Sequence, residues 1–314
     1  MLITSFFWNY KMKIFLKIVL FVSISIIYTN CSAKNSELKD IVSEEKVVEL
    51  LKDSTPLFPL QPNNNAQFSQ INSIPPPAGF EVVRTTTGSY EHYLQNFPLK
   101  TENNRLYLYN GNLANTQHSH FAILKIDVGN KDLQQCADAI MRLRAEYFWQ
   151  IQNFSAIHFN FTSGSRADYI KYREGYRATV SGNTVSWHTS AQEDTTYTAF
   201  RKYMDLVFMY CGTASLSKEL EKVDDAAQLQ IGDIFIQGGF PGHAVQVVNV
   251  AKNSQTGEVL FLLSQSFMPA QEIHIIINPQ NSSISPWYKL NTSTAELITP
   301  AWTFRWIDLK RFAE

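Results

Sequence analysis

Between Ile231 and Gln265 the chain carries three apolar runs joined by two turns, and this stretch limits the possible folds more than any other. Residues 231–237 lead into Gly238-Gly239-Phe240-Pro241-Gly242, and residues 243–251 and 258–265 flank Asn253-Ser254-Gln255-Thr256-Gly257. Short turns rich in Gly, Pro and Asn join neighbours that run in opposite directions, so the stretch predicts an antiparallel meander. If the second hairpin pairs about the centre of its turn, facing residues have indices summing to about 509, which places residues 264–267 opposite His243. Upstream, Leu133, Ala137, Ile140, Met141, Leu143, Arg144 and Tyr147 recur at helical spacing and predict a helix over residues 132–150. Further helices are predicted at 196–210 and 216–223, and strands at 80–85, 105–109, 121–128, 158–161 and 177–185. Helices first and an antiparallel sheet later give an α+β class, with N-terminal helices packed on the sheet.

The N-terminal end reads differently. Lys13 and Lys17 precede an apolar run over residues 18–27, too short to span a bilayer as a helix and right for an export signal over residues 1–30. Met12 stands as an alternative start to Met1. Tyr28-Thr29-Asn30-Cys31-Ser32 follows directly and resembles a bacterial lipobox, which implies lipidation of Cys31 and attachment to a membrane of the cell envelope, periplasmic or outer. Residues 31–79, with a short helix at 44–52 and a run rich in Pro, Asn and Gln, read as a polar spacer. Residues 80–314 read as one domain without internal repeats. Lys and Arg total 27 against 28 Asp and Glu, with no basic block, which argues against nucleic acid as a partner. Three cysteines are too few for a disulfide-stapled scaffold.

Chemistry concentrates at two places. Cys136 lies in the opening turns of the predicted 132–150 helix, where unpaired N–H groups and the helix dipole favour a thiolate. Gln135 before it could donate its amide to an oxyanion. The competing reading makes Cys136 a core residue, since free cysteine is among the most buried types. The second place is Gly242-His243-Ala244, where a histidine opens an apolar strand behind a glycine cluster. A cysteine on a helix N-terminus and a histidine on a sheet form the thiolate–imidazolium arrangement of papain-like enzymes. The hairpin register brings Gln265 and Ser266 near His243, so Gln265 is expected to orient the ring and Ser266 to contact substrate.

The segment Gly232-Asp233-Ile234-Phe235 through Gly242-His243 resembles the strand–turn–His segment of NlpC-type cell-wall peptidases, and Gln135-Cys136 resembles the Gln-Cys pair of amidase modules in that superfamily. Over residues 80–314 the chain also resembles a bacterial family known only as domain of unknown function 4846. The resembling segments are Asp132-Leu133-Gln134-Gln135-Cys136-Ala137-Asp138-Ala139, Met141 through Tyr147, Phe159 through Gly164, and Gln265 through Gln271. The first resemblance implies a papain-like domain and a thiol hydrolase of an amide bond, with peptidoglycan peptide as the leading substrate class. Two other readings stand beside it: a periplasmic binding or scaffolding lipoprotein without catalysis, and an acyltransferase on the same fold.

Other residues carry weaker signals. Cys211 ends a helix, where cations rather than thiolates are favoured. His118 and His120 share a strand face but lack a third metal ligand, and a solvated loop is the commoner use. No cofactor is expected. Arg166 suits a substrate carboxylate or an ion pair with Asp168. Arg142, Arg144 and Glu146 read as an ion-pair set. Trp287, Tyr288, Trp302, Phe304 and Trp306 suit core packing more than stacking on a ligand.

Overall fold

The apolar meander becomes the centre of a nine-stranded sheet. A computed structural model describes residues 68–313, all within one unit of the chain, Gln61–Glu314. Five α-helices occur among these residues: α1 (Tyr90–Gln95), α2 (Cys136–Gln150), α3 (Tyr169–Arg173), α4 (Tyr197–Tyr210) and α5 (Thr213–Glu219). The sheet is built from β1 (Glu81–Val82), β2 (His120–Ile123), β3 (Glu221–Lys222), β4 (Ile234–Gln237), β5 (His243–Lys252), β6 (Val259–Gln265), β7 (His274–Ile276), β8 (Tyr288–Lys289) and β9 (Leu309–Arg311). Its order is β2-β7-β6-β5-β4-β9-β3, with β1 on β5 and β8 on β6. Every pairing is antiparallel. The fold is α+β. The export segment, Cys31 and most of the spacer lie outside the described residues.

Alternation along β4 and β5 separates two cores. Ile234, Ile236 and Ala244 pack with Ala137, Ile140 and Met141 of α2 and with Phe200, Val207 and Leu216 of α4 and α5. Phe235, between the two isoleucines, lies in the other cluster, with Phe261, Tyr288 and Phe304. Ring centroids there are 5.8–6.1 Å apart, within the range where aromatic pairs attract. All of β5 except Lys252 is buried, which is why its sequence is mostly apolar on both faces.

Several expectations need correcting. The helix predicted from residue 132 begins at Cys136, because the residues before it are held by contacts across the fold. The Asp132 carboxylate accepts from Ala270 N at 2.7 Å, and the Gln134 carbonyl accepts from Ser266 Oγ at 3.1 Å. The strand predicted over 177–185 is a hairpin, Tyr176–Ser181 with Thr184–Thr189. Gly182, at φ +58°, takes the left-handed conformation that the tight turn requires. Residues 105–109 form only isolated bridges, since side chains satisfy their backbone: Gln117 Oε1 accepts from Leu106 N and Glu272 Oε2 from Tyr107 N. The last part of the supposed spacer is core. Ile71 and Ile74 are fully buried, and the Pro75 carbonyl accepts from Trp287 Nε1 at 2.9 Å.

One irregularity positions the site. In β6 and β5, Leu260 faces Ala251 and Leu262 faces Asn249, but Leu263 faces Val247, so Val248 is an extra residue in β5. A one-residue shift exchanges the faces of a strand. Beyond this bulge Gln265 shares a face with Val245 and hence with His243. Without it, Gln265 would face Gln246 and point away from His243.

Candidate active site

Cys136 is the first residue of α2, and Gln135 is its N-cap. The Gln135 N–H donates to Asp138 Oδ2 at 3.0 Å, satisfying one of the helix's unpaired donors. The residue is half-buried, and its neighbour Ala137 packs with Ala244 in one core cluster. Ala244 follows His243 in β5. The helix start therefore packs on the strand one residue along from His243.

The turn before His243 is shaped by α5. A Cβ on Gly242 would lie 2.4 Å from Thr213 Oγ1 and 2.8 Å from the Gln237 carbonyl, and one on Gly238 would lie 2.9 Å from the Thr213 carbonyl. These two positions admit only glycine because the turn is pressed onto the helix. The glycine cluster is thus explained by close approach as much as by bending.

His243 is 1% exposed. Its Nε2 lies 2.9 Å from Gln265 Oε1. Phe267, Trp302 and Phe304 surround the ring at 5.3, 5.6 and 6.0 Å between centroids. The aromatic C-terminal segment is therefore core and, at the same time, the enclosure of this histidine. In these dry surroundings burial lowers His243 to about 4, against a smaller opposing effect of the Gln265 hydrogen bond.

The thiol departs from expectation. Burial pushes Cys136 up to about 11, with Asp138 adding to the rise and the backbone N–H groups opposing it. The helix N-terminus does not outweigh desolvation, so the resting pair is a neutral thiol and a neutral imidazole. Cys211, at the end of α4, is raised as well, by burial first and then by Asp138 and Glu219.

Asp138 is a group that sequence reasoning passed over. It is 6% exposed, and its Oδ1 has no hydrogen-bond partner. Burial raises its carboxyl to about 8, although N–H groups at the helix start favour the charged form. The unfolded chain releases that proton near pH 3.9. Between the two values the folded chain holds one proton more, so its stability falls as pH rises, by about 1.4 kcal/mol per pH unit. Asp138→Asn keeps an acceptor for Gln135 N–H and removes the ionisation. Urea unfolding at pH 7 and pH 8 is expected to show less loss for the variant than for the native chain; parallel losses would contradict an ionisable, unpaired Asp138.

The remaining sequence-predicted residues fall in different places. Gln135 places its side-chain amide 3.4 Å from Asp132 Oδ1. Ser266 is fully buried and hydrogen-bonds to the Gln134 and Gln271 carbonyls; a side chain sealed from solvent ties segments together and does not contact substrate. Arg166 pairs with Asp168 at 2.5 Å. His120 is buried, with Nε2 2.8 Å from the Asn104 carbonyl, so it does not lie in a solvated loop. Among the described residues no group of three His, Cys, Asp or Glu could hold a metal. A cavity of about 370 Å³ lies between Val83–Thr86, the start of α1 and the Val250–Lys252 end of β5, and neither Cys136 nor His243 lines it.

The comparisons with known proteins bear on identity. The family model described as domain of unknown function (4846) matches residues 71–311. The chain belongs to that family. No curated protein and no solved structure matches it. The match to this family begins at Ile71, the first buried residue among those described, and spans α2, the glycine turn, β5 and β6. Domain 4846 thus contains Cys136, His243 and Gln265 together with the aromatic enclosure. Among the described residues no helix is long and apolar enough to cross a membrane.

Proposed function

We propose that this member of family 4846 is a thiol hydrolase of an amide bond, with a papain-like arrangement and peptidoglycan peptide as its leading substrate class. The supporting observation is the enclosed His243–Gln265 pair, in a strand whose next residue, Ala244, packs with Ala137 beside Cys136. In the first step Sγ of Cys136 bonds to the substrate carbonyl carbon while its proton passes to Nδ1 of His243. The N–H groups at the start of α2 would receive the developing oxyanion. His243 then returns the proton to the leaving nitrogen, the C–N bond breaks, and a thioester remains. Water, giving its proton to His243, cleaves the thioester and regenerates the thiol. Gln265 holds the ring through Nε2 and leaves Nδ1 for this transfer. Export and a lipid anchor at Cys31 would put the domain at the cell envelope, where such peptides occur.

Digestion of purified muropeptides tests the reading. Native protein is expected to release new amino termini, and Cys136→Ala to reduce the rate by at least about 10³-fold. Equal rates would remove the nucleophile. A second reading, an exported binding protein without catalysis, is favoured by the neutral resting state of Cys136 and His243; tight muropeptide binding with no cleavage would support it.

A further inference from the structure

Four neighbouring strands each place one buried polar side chain in a single group on one face of the sheet: His120 from β2, His274 from β7, Gln265 from β6 and His243 from β5. Gln265 and His274 are direct partners in the ladder. His120 and His274 lie edge to face, 6.2 Å between centroids. Three histidines grouped around one glutamine raise the question of which nitrogen of each ring holds the proton.

We propose that His274 is a positioning residue, which fixes the direction of the Gln265 amide and through it the tautomer of His243. The inference rests on the thiol-hydrolase reading for its purpose but not for its geometry. It starts from a group with no choice. The Glu272 carbonyl, 2.9 Å from His274 Nδ1, can only accept, so Nδ1 carries the proton. Glu272 itself is anchored, its carboxylate accepting from Lys100 Nζ at 2.9 Å and from Tyr107 N at 3.0 Å. A neutral ring has one N–H, so His274 Nε2 bears a lone pair. It faces Gln265 Nε2 at 3.4 Å, which must donate. The amide oxygen is thereby turned to His243 Nε2 at 2.9 Å, and this nitrogen must carry the His243 proton. The lone pair of His243 is left on Nδ1, the nitrogen that a thiol proton transfer needs. Were Gln265 turned over, its oxygen would meet the lone pair of His274, and its NH₂ would force the opposite tautomer on His243.

Imidazole ¹⁵N spectra of the full chain labelled at histidine test this directly. In native protein the expected pattern is Nδ1–H on His274 and Nε2–H on His243. In His274→Leu, Gln265 loses its acceptor, so His243 is expected to populate both tautomers and alkylation of Cys136 by iodoacetamide to slow about tenfold. Adding Gln265→Glu to that variant supplies an acceptor on either oxygen and is expected to restore Nε2–H on His243 without His274. An Nδ1–H tautomer of His243 in native protein overturns the proposal, as does a His274→Leu variant with unchanged tautomer and rate. Should His274→Leu not fold, the native tautomers decide alone. The expected tautomers above an inert Cys136 would leave the relay standing and remove the hydrolase.

Discussion

Arg142→Ala is expected to destabilise the protein by about 3–5 kcal/mol, read as a fall in the urea midpoint. The side chain of Arg142 is fully buried, which is tolerable only because each face of its guanidinium fork is met. Nε donates to Glu146 Oε1 at 2.6 Å, NH1 to Gln134 Oε1 at 3.2 Å, and NH2 to Asp127 Oδ2 at 3.1 Å and Tyr197 Oη at 3.2 Å. Removing the cation leaves Glu146, 13% exposed, facing a cavity without a counter-charge. The effect reaches the site, because Gln134 is the last anchored residue before the Gln135 cap and Cys136. The exposed pair Lys125–Glu102, with both side chains 59% exposed, is the contrast: Lys125→Ala should cost no more than about 1 kcal/mol. Similar losses in the two variants would contradict the assignment of Arg142 as a buried anchor.

The three strands of the 231–265 meander, two of the helices and the meeting of residues 243 and 265 were legible because they rest on local patterns. The 196–210 helix is announced by Thr196, whose hydroxyl caps Ala199 N–H, and β5 and β6 by runs rich in Val and Leu. The hairpin register was not legible to the residue. Leu260 pairs two positions further along β5 than the centred turn implies, and the extra Val248 then shifts it by one. A bulge at Val248 has no distinct composition signal, since the valines around it suit a regular strand equally. Asp138 was in view two positions after Cys136, yet its effect depends on burial on the sheet, a long-range property. His274 sits in Ile273-His274-Ile275-Ile276, and only the register to Gln265 gives it meaning. Ile71 and Ile74 were masked by the polar, proline-rich composition around them.

The central claim is that the thiol of Cys136 and the ring of His243 act on one another. With its thiol held at about 11, Cys136 alone would be thiolate to only about one part in 10⁴ at pH 7. Fast reaction near neutrality therefore requires His243 to take the proton as the sulfur attacks. A positioned base of this kind is worth roughly 10²–10⁴-fold, and Cys211, half-buried and with no histidine among the groups that raise it, supplies an internal control. The most direct measurement is the rate of alkylation by iodoacetamide at pH 7, followed cysteine by cysteine by mass spectrometry in folded native protein and in His243→Ala. The expected result is a native Cys136 that reacts at least about 10²-fold faster than in the variant, with Cys211 slow and unchanged in both. A Cys136 that reacts equally slowly with and without His243 would contradict the account.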